Sequence, residues 1–101
     1  MKKQVKSEAV DQLFKAILNL KSLDECYTFF EDICTVNELL SLAQRLDVGL
    51  RLLDKHTYQE IAKETGASTV TISRVNRLLG DDHHGIEMAA AQLKQQEEPV
   101  Q

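Results

Sequence analysis

The stretch from Thr57 to Arg77 reads T-Y-Q-E-I-A-K-E-T-G-A-S-T-V-T-I-S-R-V-N-R, and one geometry accounts for nearly all of it: a short helix, a glycine turn and a second helix. Thr57 and Glu60 have capping-box spacing, the hydroxyl taking an orphan amide while the carboxylate reaches back to the cap, so a helix opens here. Two helices crossing at about 90–120° through a short turn need a small side chain at the contact and a turn residue that tolerates positive φ. Ala62 and Gly66 stand at those places. Ser68 is positioned to cap the second helix. Helical spacing turns Ile61, Ala62, Ile72 and Val75 inward and leaves Ser68, Thr69, Ser73, Arg74 and Arg77 on the outer face.

That outer face has the chemistry of a major-groove reader. Short hydroxyls at the start of a helix can approach base edges and the thymine methyl, Val70 adds an apolar contact, and the two arginines can take a phosphate or a guanine. The bland alternative is a helix pair used only for packing, in a protein-interaction module that no longer reads DNA. Cap, small residue, turn glycine, second cap and basic outer face all agree at one spacing, which favours the DNA reading.

Charge at first supports the alternative. The chain of 101 residues has a formal net charge of −4 and a pI near 5.3, whereas a general coater of nucleic acid is strongly basic. The excess is confined to the end. After Leu79 stand Asp81, Asp82, Glu87, Glu97 and Glu98 against Lys94 alone, a net of −4, so the rest sums to zero. Between Arg51 and Leu79 the balance is positive, with Arg51, Lys55, Lys63, Arg74 and Arg77 against Asp54, Glu60 and Glu64. A local basic patch on a balanced body suits site-specific binding.

No apolar stretch is long enough for a membrane span, and Met1 to Lys6 leads directly into an amphipathic segment instead of a signal sequence, which predicts a cytoplasmic protein without a membrane partner. Cys26 and Cys34 are expected on or near one helix, about 12 Å apart at about 1.5 Å per residue, too far for a disulfide within it. They read as two small buried apolar side chains. Asp81, Asp82, His83 and His84 are four adjacent residues beyond a helix stop at Gly80, unable to converge on one ion, so no metal site is expected. An enzyme is disfavoured: no nucleophile–base pairing, metal-spaced cluster or phosphate-cradling glycine loop is visible.

The remaining sequence is helical. Val10, Leu13, Phe14, Ile17 and Leu18 form one apolar stripe, predicting a first helix over Ser7 to Leu20. Ser22 with Glu25 makes a second capping box, opening a helix with Cys26, Phe29, Phe30 and Ile33 on its apolar face; Thr35 with Glu38 makes a third, opening a long helix to about Leu53. The long helix carries Leu39, Leu40, Leu42, Leu46, Val48, Leu50, Leu52 and Leu53 around more of its circumference than one contact face requires. A second copy of the chain is the expected cover, and a symmetric dimer would present two reading helices about 34 Å apart. Ile86 to Gln95 has the composition of a short Ala-rich helix, too short to stand alone in water and so ordered only if it docks.

T-G-A-S-T-V-T-I-S-R-V-N-R-L-L, preceded by A-Q-R-L-D-V-G-L-R-L-L-D and T-Y-Q-E-I, resembles the Trp repressor superfamily, most closely its YerC/YecD-type branch of bacterial proteins, over roughly Ser7 to Leu79. The resemblance implies an all-α fold, an intertwined helical homodimer with helix-turn-helix heads, and a sequence-specific transcriptional regulator that binds operator DNA, expected to act as a repressor. On it, residues 1–80 form the helical domain, with dimerisation helices over 7–54 and the helix-turn-helix over 57–79, and 81–101 is an acidic C-terminal tail. Thr69, Val70 and Thr71 match base-reading positions, and Gln59 and Ser73 phosphate-side positions, with Arg74 following. In the Trp repressor proper the corepressor's indole lies between two arginines, helped by a threonine, and Arg45, Arg74 and Thr35 match these. The glycine after the second arginine is Val75 here, however, and a serine one turn on is Leu78. A branched side chain where a ring must pass argues against a tryptophan corepressor, so no cofactor is expected and any small-molecule effector is unidentified.

Overall fold

A computed structural model describes residues 5–80 and 84–97. The described residues form six α-helices and no strand: α1 (Glu8–Leu18), α2 (Leu23–Ile33), α3 (Val36–Leu53), α4 (Tyr58–Thr65), α5 (Thr69–Leu79) and α6 (Gly85–Glu97). None of them is long and apolar enough to cross a membrane. The chain divides into two compact units, one reaching to Leu39 and the other beginning at Leu40.

In the first unit the helices begin where their caps put them. Ser7 Oγ accepts the Val10 amide and Ser22 Oγ accepts the Glu25 amide, each at 3.1 Å. The Ser22–Glu25 pair is not a complete capping box, because the Glu25 carboxylate takes the amide of Lys21, one residue before the cap, at 2.8 Å. α1 ends before the Leu20 that its apolar stripe suggests. Asn19 Nδ2 donates to Lys15 O at 3.0 Å, and its amide bonds back to Ala16 O, closing the last turn. Thr35 and Glu38 form the box expected at the head of α3, at 2.8 and 3.1 Å. Neither α1 nor α2 contains a buried residue. Leu18 and Leu23 are 82% and 78% exposed. The cysteines, expected to be buried, are free and only half-buried, because no part of α2 is covered deeply enough to bury them.

The second unit has a small apolar nucleus: Val48 of α3, Ile61 of α4, Ala67 of the turn, and Ile72 and Val75 of α5, with Leu52, Ala62 and Ile86 packed against it. Of the inward set read from α4 and α5, Ile61, Ile72 and Val75 belong to the nucleus and Ala62 packs against it. α3 ends in a Schellman arrangement, with the Lys55 amide on Leu52 O and the His56 amide on Arg51 O, both at 3.0 Å. This puts Lys55 at φ 68°, in a left-handed conformation that glycine usually occupies. Gly80 closes α5 at φ −91°, so the stop expected there does not use the left-handed form.

The stretch after Gly80, set apart in sequence as a tail, contributes α6 to this unit, and its first turn docks on α3. A methyl group at Gly49 would sit 2.8 Å from Ile86 Cγ2 and 3.5 Å from Val75 Cγ1. Gly49 thus lets Ile86 approach the α3 backbone beside Val75. Asp81, Asp82 and His83 lie outside the described residues; His84 is exposed.

Two outcomes follow from this packing. Gly49→Ala should destabilise the protein by about 1–3 kcal/mol, since Ile86 Cγ2 hangs from a branched carbon and cannot swing aside. In an Ile86→Ala background the same change should become neutral or stabilising, a coupling that a double-mutant cycle by chemical denaturation would measure. The Glu60 carboxylate is held below its ordinary value of 4.5, first by the hydrogen bond from the Thr57 amide, then by the Thr57 side chain. A lowered folded-state value means that the stabilisation is complete above the unfolded carboxylate range and is lost as pH falls through the folded value. The melting temperature of the parent should exceed that of Glu60→Gln at neutral pH, and the two should converge in acid.

Candidate nucleic-acid interface

The α4–turn–α5 head is built by local hydrogen bonds. Thr57 Oγ1 accepts the Glu60 amide at 3.1 Å, and the Glu60 carboxylate accepts the Thr57 amide at 2.8 Å, a complete capping box. α4 runs two turns and stops at Gly66, φ 75°, whose amide donates to Ala62 O at 2.9 Å. A residue with a Cβ reaches that backbone only at a cost in strain, so glycine is strongly favoured at this point. Thr65 Oγ1 donates to Ile61 O at 2.7 Å and accepts the Ala67 amide at 3.1 Å, stapling the turn from its other side. Ser68 Oγ then accepts the Thr71 amide at 3.1 Å and starts α5.

The residues singled out in sequence fall as follows. Thr69 and Val70, in the first turn of α5, are exposed, Val70 by 69%. Ser68 is exposed, but its hydroxyl is occupied by the cap and also donates to Thr71 Oγ1 at 3.2 Å, so it serves the start of the helix first. Thr71 and Ser73 are half-buried. Arg74 and Arg77 are exposed, and among the described residues neither is in an ion pair. Gln59 is exposed on α4. The head therefore presents hydroxyl, methyl and guanidinium groups on the side of α5 opposite Ile72 and Val75.

Arg51, counted in sequence with the basic patch, is not free to join it. Its Nε holds Asp47 at 2.9 Å and its Nη1 holds Glu64 at 2.7 Å. The hydrogen bond to Asp47 is the main reason its guanidinium is even less able to lose a proton than usual. Sequence reasoning also passed over Gln44, whose Nε2 donates to Thr65 O at 3.2 Å. Its partner lies 21 residues away, and no local pattern announces such a bond.

Of the effector-pocket residues, Thr35 is in the first unit, its hydroxyl and amide both engaged with Glu38. Arg45 and Arg74 are exposed in the second. Val75, which stands where the resemblance places a glycine, is 1% exposed and belongs to the nucleus. Leu78 is 46% exposed.

Comparison with known proteins agrees with this architecture along nearly the whole chain. The chain is 51% identical over 94 residues to the uncharacterized protein YerC of Bacillus subtilis (strain 168), covering 93% of this chain and 90% of that one. Its fold superimposes with a TM-score of 0.89 on the crystal structure of a TrpR-like protein from Eubacterium eligens, at 53% identity, covering 92% of this chain and 96% of the other. A putative Trp repressor from Staphylococcus aureus superimposes with a TM-score of 0.87, at 45% identity, over 90% of this chain and 91% of that one. Residues 8–97 match the family described as Trp repressor protein, and with capped α4, the Gly66 turn and the polar outer face of α5 in place, the chain belongs to that family.

Proposed function

We propose that the protein is a site-specific DNA-binding transcriptional regulator, a repressor, that works as a homodimer and enters the major groove with the first turns of α5. The observation that carries this reading is the combination of a completed helix-turn-helix with an outer face whose cations are exposed and, among the described residues, in no ion pair: Thr69 and Val70 at the tip, Arg74 and Arg77 behind them. In the proposed complex Thr69, Val70 and Thr71 contact base edges and methyl groups. Gln59, Ser73, Arg74 and Arg77 contact the backbone, and Ser68 fixes the helix start with its amide-capping hydroxyl. Family membership supports the same reading.

The homodimer is supported by the apolar side chains on α1, α2 and the start of α3. Leu18, Leu23, Tyr27, Ile33 and Val36 are all more than half exposed in the single chain, an amount of apolar surface that a protein of this size ordinarily covers with a partner. We further propose that DNA binding needs no tryptophan. Val75 fills the inner side of α5 against Gly49 and Ile86, so α5 is supported by the chain's own side chains. The net charge of −4 favours a second reading, a protein-interaction module, over DNA binding, and the same experiment separates the two.

Gel shifts with genomic fragments at low and moderate salt should show one or a few retained fragments, with affinity unchanged by added tryptophan. Arg74→Ala and Arg77→Ala should each weaken binding and reduce the salt slope by about one unit without lowering the melting temperature. Failure to retain any fragment at low salt supports the interaction module, and unchanged slopes in both variants would mean that the docking face is not the outer side of α5. Sedimentation equilibrium at micromolar concentration should give twice the chain mass of 11.4 kDa. A monomer with full helical content would remove the dimer and the paired half-sites with it.

A further inference from the structure

The head is fastened to α3 at two polar points in addition to its apolar nucleus. At the first, Gln44 Nε2 donates to Thr65 O at 3.2 Å. Thr65 is the last residue of α4, so its carbonyl has no acceptor role left inside the helix. Since the Thr65 hydroxyl also bridges Ile61 O and the Ala67 amide, this one residue joins the end of α4, the turn and α3. At the second point, Arg51, about 10 Å further along α3, holds the Glu64 carboxylate at 2.7 Å while its Nε holds Asp47 at 2.9 Å. His56 Nδ1 faces the same Glu64 oxygen at 3.2 Å.

The two kinds of contact have different effects. The apolar patch among Val48, Ile61 and Ile72 holds the helices together but is indifferent to modest rotation, because hydrophobic contact has no direction. Hydrogen bonds do have direction, and two of them separated along α3 fix the angle of the head about that patch. Their worth to stability is small: the Arg51–Glu64 pair has side chains 30% and 43% exposed, a setting where ion pairs add little. Their geometric consequence is large, since Thr65 is four residues from the first base-reading position and any play in the turn is carried to the tip of α5.

We propose that Gln44, seconded by Arg51, is a positioning residue for DNA reading: it touches no nucleic acid and sets the aim of α5 by holding the helix-turn-helix turn on α3. The inference rests on the DNA-binding reading above. Gln44→Glu tests it, since the side chain keeps its shape, loses the N–H and turns an oxygen toward the Thr65 carbonyl. Two measurements are made on the full-length protein well below its melting temperature. Fluorescence anisotropy compares a selected operator with a scrambled duplex of the same length, and native-state amide exchange follows Gly66 and Ala67. The variant should lose about ten-fold of its preference for the operator, keep its affinity for the scrambled duplex and its salt slope, and exchange the Ala67 amide several-fold faster. A variant that melts earlier but keeps the operator preference would make Gln44 merely structural and overturn the proposal. Should Gln44→Glu fail to fold, Arg51→Met is read in the same assays, with Arg51→Lys expected to recover part of the preference. A parent that prefers no duplex overturns the DNA reading and the positioning role together, and the exchange data then still report whether Gln44 holds the turn. A parent that binds its operator beside a variant with parental preference and exchange overturns the clamp alone.

Discussion

The structure of the second unit depends on a nucleus of five side chains, Val48, Ile61, Ala67, Ile72 and Val75, which are the only buried hydrophobics among the described residues. A nucleus this small places a strict demand on every element that feeds it. α3 must present Val48, α4 must be short enough to bring Ile61 back onto it, and the turn must be tight enough for Ala67 to enter. The left-handed Gly66 is the consequence: only a chain reversal within a few residues lets α4 and α5 share one nucleus, and that reversal passes through positive φ. Thr65 then supplies the hydrogen bonds that a loop this tight cannot make with itself.

Electrostatics divides the molecule in a way the net charge conceals. On the α3 side of the head Arg51 is held by both Asp47 and Glu64 at hydrogen-bond distance, a group with an excess of negative charge, so Arg51 adds no positive field outside. On the opposite side Arg74 and Arg77 are left to solvent. The basic count of the whole segment therefore overstates the positive charge it offers to solvent, since Arg51 is engaged while Arg74 and Arg77 of α5 are exposed.

The parts of this fold legible in sequence are those decided within four residues. The Thr57–Glu60 and Thr35–Glu38 boxes, the Ser68 cap and the Gly66 turn each depend on side chains close along the chain, and all four are found where the residues place them. The Ser22–Glu25 pair shows the limit of such patterns, because a glutamate has enough reach to choose the Lys21 amide over that of its cap. Lys55 escaped notice because left-handed helix ends are sought at glycine or asparagine, whereas here the Schellman hydrogen bonds hold a lysine in that conformation. Burial was read less well: the cysteines have the character of core residues, but they are only half-buried, and α2 contains no buried residue. The candidate site followed the same division. Thr69, Val70, Arg74 and Arg77 lie on the outer face that helical periodicity gives them. Gln44 and the Gly49–Ile86 contact were invisible, since each joins residues more than twenty positions apart.

That last contact explains how α5 is supported from behind. A helix that reads DNA has to resist the torque of docking, and one packed on a single side by α4 would have only the turn to resist it. Val75 lies within packing distance of Gly49, and Ile86 of α6 reaches the same glycine. α3 and α6 thus both pack at the inner face of α5 through aliphatic side chains. With valine at position 75, the inner face of α5 is packed by the chain's own side chains, and Gln44 and Arg51 of α3 add hydrogen bonds to Thr65 and Glu64 at the end of α4.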